Sequence, residues 1–413
     1  MARRRLAAVL LLCLPMHALA APTPERAGAA RDWAAWRGPE QNSISTETDW
    51  DPARLAGGPK IVWQTNVGNG WGAVAIKGER VYVMGNRTNQ DSVFCLKIAD
   101  GAEIWKHTYA CPQGKDGYPG PRATPTVDDQ GVYTLSREGH VFCLDPASGA
   151  VRWQVSLPEE CQARAPQWGF ASSARVTGDM VLFNAGAHGV ALDRKTGRKI
   201  WASPPGVGNY AVPVLYEFRG RGCAAIFGRE DLVGVEIASG RRLWSIPWKR
   251  DYDIMAAEPI VSGDHIFVTS GYGKGSALFK LGDGEPQPVW ESKVLSCQLV
   301  TPALLDGHLY GTDGNVGRGD IKCVEFLTGV QKWVQKNVGH AQVMAAGGKL
   351  ILLTEAGELI VAEARPDGYK ELARAKVLDP KGGKCWTMPV LCRGRIYCRS
   401  SPGDLAVVDV SRP

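Results

Sequence analysis

The segment Cys143-Leu-Asp-Pro-Ala-Ser-Gly-Ala-Val-Arg-Trp153 returns along the chain in similar form, and it decides the fold. In most copies an acidic residue ends a short apolar run, a turn containing glycine follows, and a tryptophan comes four residues after the glycine. Glycine adopts positive φ at little steric cost, so this pattern predicts two strands joined by a tight turn. The other copies are Cys95–Trp105, Ala191–Trp201, Gly234–Trp244, Cys323–Trp333 and a looser one from Leu281 to Trp290.

The tryptophans of these segments recur with a nearly constant period. Their separations are 42, 48, 48, 43, 46 and 43 residues, for Trp63, Trp105, Trp153, Trp201, Trp244, Trp290 and Trp333. A repeat of this length is typical of solenoids and propellers.

Each repeat contains two further apolar runs before its tryptophan segment. Thr126-Val127 and Gly131–Leu135 precede the copy that ends at Trp153, and Ile260-Val261 and His265–Thr269 precede Trp290. Four short strands in 40 to 48 residues leave little room for helix, which indicates the blade of a β-propeller. Each tryptophan should then pack between adjacent blades, where it would bury on the order of 200 Å².

Counting the strands predicts an all-β, eight-bladed β-propeller of four-stranded blades. The seventh unit keeps its strands but has Tyr369–Leu372 in place of the tryptophan, and the last unit stops after three strands, at Asp409. Near the other end, the strand around Trp63 has no partners of its own. We therefore expect the ring to close by pairing this N-terminal strand with the three C-terminal strands, which also protects both edges. A seven-bladed ring is the alternative.

The first twenty residues predict export. Arg3, Arg4 and Arg5 precede the apolar run Leu6–Leu14, and Ala18-Leu19-Ala20 is typical of a signal-peptide cleavage site. No later run approaches the roughly 18 apolar residues of a membrane helix. The expected boundaries are a signal peptide at 1–20, an N-terminal segment at 21–56 and the propeller at 57–413. We expect an exported protein, periplasmic or extracellular, that is monomeric and has no transmembrane segment after cleavage.

Composition narrows the function. The chain has 413 residues, of which 44% are hydrophobic, and a formal charge of +6 that falls to about +3 once the three signal arginines are removed. That charge is too small to indicate nucleic-acid binding. Ten of the 11 cysteines remain after cleavage, without metal-site or haem spacing. Cys95 and Cys143 are expected as buried apolar residues, whereas Cys111 and Cys161 allow either burial or a bridge between units.

The residues just before each innermost strand should surround one mouth of the central channel. Aromatic faces with a few polar groups suit planar or sugar-like ligands. We therefore predict a small-molecule site there, with ordinary channel filling as the alternative. Its candidate ligand-binding residues, taken blade by blade, are Trp71, Arg122, Trp168, Tyr210, Asp253, Glu258, Gln298, His340 and Trp386.

Glu258 is chemically unusual among these residues, because matching positions hold Thr124, Val212, Thr301 and Met388. With Asp253 it could hold a cation, or it could pair with Arg122 or His340. A carboxylate ion-paired inside the channel is the structural alternative. No motif singles out a catalytic residue or a metal site.

The repeated segments resemble those of quinoprotein-type propellers, which carry the pyrroloquinoline-quinone-like repeat. That family includes quinone-dependent alcohol dehydrogenases and the propeller lipoprotein of the outer-membrane barrel-assembly machinery. Trp33-Ala-Ala-Trp36-Arg-Gly-Pro, Gly57–Trp63, Ser270–Ser276 and Cys385–Leu391 are similar to segments of exported propellers from planctomycete-like bacteria. The resemblance covers about residues 33–410 and implies the propeller fold far more specifically than it implies an activity.

Two functions follow as hypotheses. The first is a binding or scaffold module of the cell envelope that takes a small ligand or a protein partner and needs no cofactor. The second is an oxidoreductase of alcohols or sugars that uses pyrroloquinoline quinone (PQQ) and calcium. By resemblance such enzymes usually have an adjacent cysteine pair, which this chain lacks. Hydrolysis or elimination on envelope polysaccharide is a third, weaker hypothesis.

Overall fold

A computed structural model describes residues 32–249, 252 and 254–412. It contains eight antiparallel sheets of the four-stranded type that the repeats predict, and the fold is an eight-bladed β-propeller. The signal peptide predicted at residues 1–20 lies outside the described residues. In the part of the chain that is described, no helix has the length and apolar character needed to cross a membrane.

The first four blades follow one another along the chain, and each begins with its innermost strand. Their strands are Ala75–Lys77, Arg80–Arg87, Gln90–Lys97 and Glu103–Ala110 in blade 1; Thr126–Val127, Val132–Leu135, His140–Leu144 and Val151–Ser156 in blade 2; Arg175–Thr177, Met180–Phe183, Val190–Asp193 and Lys199–Ala202 in blade 3; and Val214–Phe218, Arg221–Phe227, Asp231–Glu236 and Arg242–Pro247 in blade 4.

The second half continues in the same order. The strands are Ile260–Ser262, His265–Ser270, Gly275–Lys280 and Gln287–Ser292 in blade 5; Ala303–Leu305, His308–Asp313, Asp320–Glu325 and Gln331–Gln335 in blade 6; Ala341–Ala346, Lys349–Thr354, Glu358–Glu363 and Glu371–Lys376 in blade 7; and Val390–Cys392, Arg395–Arg399, Asp404–Asp409 and the N-terminal strand Ile61–Asn66 in blade 8.

Blade 8 closes the ring as the sequence predicts. Its outermost strand, Ile61–Asn66, runs antiparallel to Asp404–Asp409, with Trp63 opposite Val407. The side-chain amide of Asn66 donates to Asp404 Oδ1 over 2.9 Å, and Lys60 Nζ lies 3.0 Å from Asp409 Oδ2. The predicted closure is confirmed, and the seven-bladed alternative is wrong.

Several smaller elements were not expected from the repeats. The short strand Ile44–Ser45 adds to the inner edge of blade 7, in parallel with Ala341–Ala346. A two-stranded parallel sheet joins two loops, and two short helices fill connections. These elements are Ala163–Arg164 with Gly206–Val207, the 3-10 helix Pro52–Leu55 and the α-helix Leu157–Cys161.

Six of the seven repeated tryptophans donate their indole N–H to a backbone carbonyl of the next blade. Trp153 Nε1 donates to the carbonyl oxygen of Arg194 over 3.0 Å, at the turn that opens the tryptophan segment of blade 3. A buried indole needs such a partner, since an unpaired N–H would lose its hydrogen bond to water. Five other tryptophans donate to a backbone carbonyl in the same way: Trp63 to Ile98, Trp105 to Pro146, Trp201 to Ile237, Trp290 to Phe326 and Trp333 to Arg365.

In five of the segments the glycine not only permits the turn but also lies against the tryptophan ring of the preceding blade. Gly149 has φ of +74°, and a Cβ placed on it would lie 2.5 Å from the ring of Trp105. The segment therefore combines two halves of two interfaces: its glycine receives the ring behind it, and its tryptophan contacts the blade ahead. The same contact is made by Gly101 on Trp63, Gly197 on Trp153, Gly240 on Trp201 and Gly329 on Trp290.

Two interfaces depart from this arrangement where the sequence does. Trp244 faces the looser copy in blade 5 and donates instead to Tyr216 Oη of its own blade, over 3.0 Å. Trp333 faces blade 7, which has no tryptophan, and meets the ring of Tyr369 edge-on at a centroid distance of 5.7 Å. Both contacts use a tyrosine, but only the one between Trp333 and Tyr369 joins two blades.

All ten cysteines within the described residues are buried, and no disulfide joins any two of them. Cys95 and Cys143 have the predicted role of small apolar residues, at no more than 2% exposure. Cys111 and Cys161 form no bridge, and burial raises the pKa of the Cys111 thiol to about 12.

Replacing Gly149 with alanine should destabilise the ring more than an equivalent change elsewhere. The added methyl meets the Trp105 ring and also adopts a left-handed backbone conformation. We expect a loss of about 2–4 kcal/mol in the free energy of unfolding, measured by urea titration.

Gly220 is the matched control. Its φ is +73°, but nothing lies within 4 Å of the position of an added Cβ. Gly220→Ala should cost only about 1 kcal/mol, the backbone contribution alone. Equal losses for the two variants would contradict the role assigned to the glycine–indole contact.

Candidate functional site

The N-terminal segment crosses one end of the channel and closes it. The carbonyl of Trp33 accepts from the amide of Ile76 in blade 1, and the carbonyl of Ala34 accepts from Val127 in blade 2. Further along, the carbonyl of Ser43 accepts from Ala345 in blade 7. The channel is therefore a cup with a floor, and this segment supplies the floor.

Glu258 fixes the middle of that segment from blade 5. It is 1% exposed, and its Oε1 accepts from Trp36 Nε1 over 2.6 Å. Its Oε2 accepts from Thr301 Oγ1 over 2.7 Å and lies 3.4 Å from Arg37 Nη1. A buried charge needs such partners, since an unpaired carboxylate would lose its hydration without compensation. The alternative of an ion-paired carboxylate is correct, but the cation is Arg37 rather than Arg122 or His340.

Above the floor, a cavity of about 240 Å³ opens at the other end of the channel. Its walls combine residues from the N-terminal segment, from the loops before the innermost strands and from the loops between the second and third strands of blades. The lining comprises Trp36, Trp71, Tyr118, Arg122, Trp168, Ala171, Ser173, Tyr210, Val212, Ile254, Ala256, Glu258, Tyr272, Gln298, Leu299, Val316 and Trp386. We call this cavity the aromatic cup.

One side of the aromatic cup is a continuous arc of rings. The ring centroids of Trp386 and Trp71 are 5.1 Å apart, and Tyr118 is stacked against Trp386 with a centroid distance of 5.8 Å. Trp168 meets Tyr118 edge-on at 5.3 Å, and its backbone amide donates to Tyr210 Oη. Rings that hold one another in this way present a rigid apolar wall at little cost in side-chain entropy on binding.

Polar groups are few and are held in place. Arg122 donates to Asp116 Oδ2 over 3.2 Å and to the carbonyls of Gly120 and Tyr118. Burial, together with the nearby Arg137 charge, lowers the pKa of Arg122 to about 10, so it remains charged at neutral pH. Gln298 donates to Tyr272 Oη over 2.8 Å on the opposite wall.

Seven of the nine sequence-predicted site residues surround the cup: Trp71, Arg122, Trp168, Tyr210, Glu258, Gln298 and Trp386. Asp253 lies outside the described residues. His340 does not line the cup; it is 1% exposed and meets Trp386 edge-on at 6.4 Å. His340 lies directly before the innermost strand of blade 7, which begins at Ala341, and its side chain is buried there beside Trp386.

Sequence reasoning missed Tyr118, Trp36 and Tyr272. Tyr118 comes from the connection between Ala110 and Thr126, whose length and proline and glycine content were a usable indication of a functional loop. Tyr272 belongs to the loop after Ser270, which the strand directions bring to the same end of the channel. Trp36 comes from outside the repeats, and no spacing rule predicts its position.

The donor set does not fit a calcium ion at Glu258. Its two oxygens already receive Trp36 Nε1, Thr301 Oγ1, Arg37 Nη1 and, at 3.5 Å, the amide of Val212. Calcium requires six to eight oxygen ligands, most of them free to face the ion. Among the described residues, no group of three His, Cys, Asp or Glu side chains converges on a metal position.

His340 should make stability depend on pH. Burial lowers the pKa of its ring to about 4, against an unfolded value near 6.5. The unfolded chain therefore binds this proton first, so stability is complete above pH 6.5 and is lost as pH falls towards 4. We expect up to about 1.4 kcal/mol per pH unit in that window, which His340→Gln should remove from urea-unfolding curves.

His308→Gln is the control for that measurement. His308 lies at a turn of blade 6, where its Nδ1 is 2.8 Å from the carbonyl oxygen of Asp306. This variant should keep the pH dependence of the wild type. The assignment to His340 is wrong if the two variants lose the same amount.

Comparisons with known proteins agree with the fold and with the repeat. The family model described as outer membrane protein assembly factor BamB matches residues 113–335 and 229–412, which together are more than half of the chain. No curated protein sequence matches. The resemblance to planctomycete-like propellers is not tested by these findings and stays a prediction.

Solved propellers of different function are similar in structure. BamB from Moraxella catarrhalis has a TM-score of 0.63 and 18% identity, over 85% of this chain and 99% of that one. Quinohemoprotein alcohol dehydrogenase from Comamonas testosteroni has a TM-score of 0.66 and 12% identity, over 94% of this chain and 82% of that one. A europium-containing methanol dehydrogenase has a TM-score of 0.66 and 11% identity, over 89% of each chain.

At these identities the neighbours establish only the fold, and they include both an assembly factor and dehydrogenases. The sequence match is what assigns the family: the chain belongs to the family of PQQ-type repeat propellers whose model is described as outer membrane protein assembly factor BamB.

Proposed function

We propose that this protein is an exported envelope propeller that binds a small planar or sugar-like ligand in the aromatic cup, without transforming it. The carrying observation is the cup itself: a closed floor, a volume of about 240 Å³ and an arc of mutually packed rings. Such a surface matches the flat faces of aromatic molecules and of sugar rings.

The chemistry of the walls favours binding over catalysis. Among the described lining residues there is no histidine, cysteine or lysine, and the one carboxylate is Glu258. Its hydrogen bonds hold the floor of the cup, so this carboxylate is not free for proton transfer. Ser173 is also engaged, since its Oγ accepts from the amide of Thr124 over 2.9 Å.

A scaffold role for a protein partner at the mouth is part of the same proposal. The family model is described as an outer membrane protein assembly factor, which supports an envelope setting. The alternative function, a PQQ-dependent oxidoreductase, has dehydrogenases among its structural neighbours. The partners of Glu258 argue against it. They already occupy both oxygens of this carboxylate, and the described lining of the cup has no other carboxylate to hold calcium.

The ligand site is tested by titrating the purified mature protein with a panel of aromatic acids, aromatic amides and mono- and disaccharides, followed by calorimetry. Trp386→Ala should weaken binding of the best probe by on the order of tenfold, the equivalent of one aromatic contact. Trp386→Phe, which keeps a ring at the same place, should retain most of the affinity.

A second arm addresses the oxidoreductase. The protein is incubated with PQQ and calcium, and dye-linked oxidation of alcohols and sugars is measured. We expect no turnover. Tight uptake with turnover would overturn the binding proposal in favour of the dehydrogenase, and failure of every panel probe to bind would remove the small-ligand site.

Export makes a separate prediction. Cleavage after Ala20 should leave a mature chain that begins at Ala21, which intact-mass spectrometry of the envelope fraction detects. Replacing Ala18 with aspartate disrupts the small-residue cleavage pattern, and the precursor should then accumulate. Recovery of the full-length chain in the cytoplasm would contradict the proposed localisation.

A further inference from the structure

The buried charges around the aromatic cup do not balance. Five arginines lie under or beside its walls, and the described carboxylates that pair with them are only three. The charged residues form two clusters and one isolated arginine. The floor cluster contains Arg37, Arg175 and Glu258, and the rim cluster contains Arg122, Arg137, Asp116 and Glu138. The isolated residue is Arg399, next to Gly72.

Arg399 has no acidic partner. It is 2% exposed, and its guanidinium donates to the carbonyl oxygens of Gly72 at 2.6 Å and Gly68 at 3.3 Å. Its Nε has no hydrogen-bond acceptor at all. Burial alone lowers the pKa of Arg399 to about 9, so the side chain still carries its charge at neutral pH. Trp71, which lines the cup, lies between Gly70 and Gly72, and the Arg399 guanidinium lies against the backbone of both glycines.

The floor cluster has a second uncompensated arginine. Glu258 is the one carboxylate of this cluster. Of its two arginines, only Arg37 forms a salt bridge with it, with Nη1 at 3.4 Å from Oε2. Arg175 donates to the carbonyl oxygens of Trp36 and Pro213 instead, and its Nη2 is buried without a partner. Trp36 thus has a buried cation on its backbone side and faces the cup with its ring.

The rim cluster brings a cation to the cup surface. Asp116 pairs with Arg137 at 2.8 Å and with Arg122 at 3.2 Å, and the half-exposed Glu138 is a further partner of Arg137. This cluster is balanced, yet Arg122 is its only member that lines the cup. Glu355, which accepts from Trp386 Nε1 next to the cup, is paired with Lys384.

Unpaired donors point the same way as the charges. Trp168 lines the cup, and its indole N–H is buried without an acceptor. Together with Arg175 and Arg399, this makes a surplus of donors over acceptors, and buried polar groups in proteins normally have partners. Charges in a poorly hydrated site are screened weakly, so the two buried arginines that form no salt bridge among the described residues add positive potential near the cup.

We propose that the aromatic cup selects ligands that combine a ring with a carboxylate, the carboxylate facing Arg122 and the ring lying against the Trp71–Trp386 arc. This inference rests on the ligand site proposed above and adds its charge preference. An anion in the cup compensates the buried cations, which neutral ligands of the same shape leave uncompensated. Aryl carboxylates and sugar acids share this chemistry.

The test compares matched pairs that differ only in charge. Calorimetric titrations of the mature protein use naphthalene-2-carboxylate against naphthalene-2-carboxamide, and galacturonate against galactose, which distinguishes the aromatic from the sugar source. We expect the carboxylate of at least one pair to bind more than tenfold tighter, with an affinity that falls as salt is raised.

Two variants locate the anion. Arg122→Gln should reduce the preference to threefold or less, whereas Arg122→Lys, which keeps the charge, should preserve most of it. A urea-unfolding midpoint close to that of the wild type shows that both variants are still folded.

Equal affinity for both members in every pair that binds overturns the charge preference and leaves the ligand site standing. An undiminished preference in Arg122→Gln overturns the assignment to Arg122. If neither member of either pair binds, the proposed ligand site fails as well.

Discussion

The contact between an indole and the glycine turn of the next blade holds this propeller together. The ring lies on a position where any side chain would collide, and its N–H satisfies a carbonyl of the same turn. One segment therefore carries half of two interfaces, so a single repeated motif closes a ring. Where the motif degenerates, Trp333 still donates to blade 7 and also meets Tyr369, whereas Trp244 donates to Tyr216 within its own blade.

A ring of blades leaves a channel, and the N-terminal segment turns that channel into a cup. The segment pairs with the innermost strands of several blades and is held at its centre by Glu258 through Trp36 and Arg37. The residue that looked most like a ligand group from the sequence is thus the anchor of the floor. Its burial explains the need for so many partners, because a lone carboxylate there would be costly.

The shape and the charge of the cup come from different residues. Its rings set the shape, because they pack on one another and have little freedom to move. Positive charge near the cup comes from buried arginines, two of which form no salt bridge with a carboxylate among the described residues. Solved propellers with different activities share this ring of blades, so the blades alone do not determine function.

The sequence alone determined the all-β fold, the number of blades and the strand that closes them, since a tryptophan period is a local pattern repeated along the chain. It also identified seven of the residues that line the cup, because residues before equivalent strands occupy equivalent places. Only the tertiary structure decided the partner of Glu258, the position of Trp36 and the burial of His340. Those depend on where a non-repeating segment crosses the channel and where one strand begins, and no periodicity encodes either.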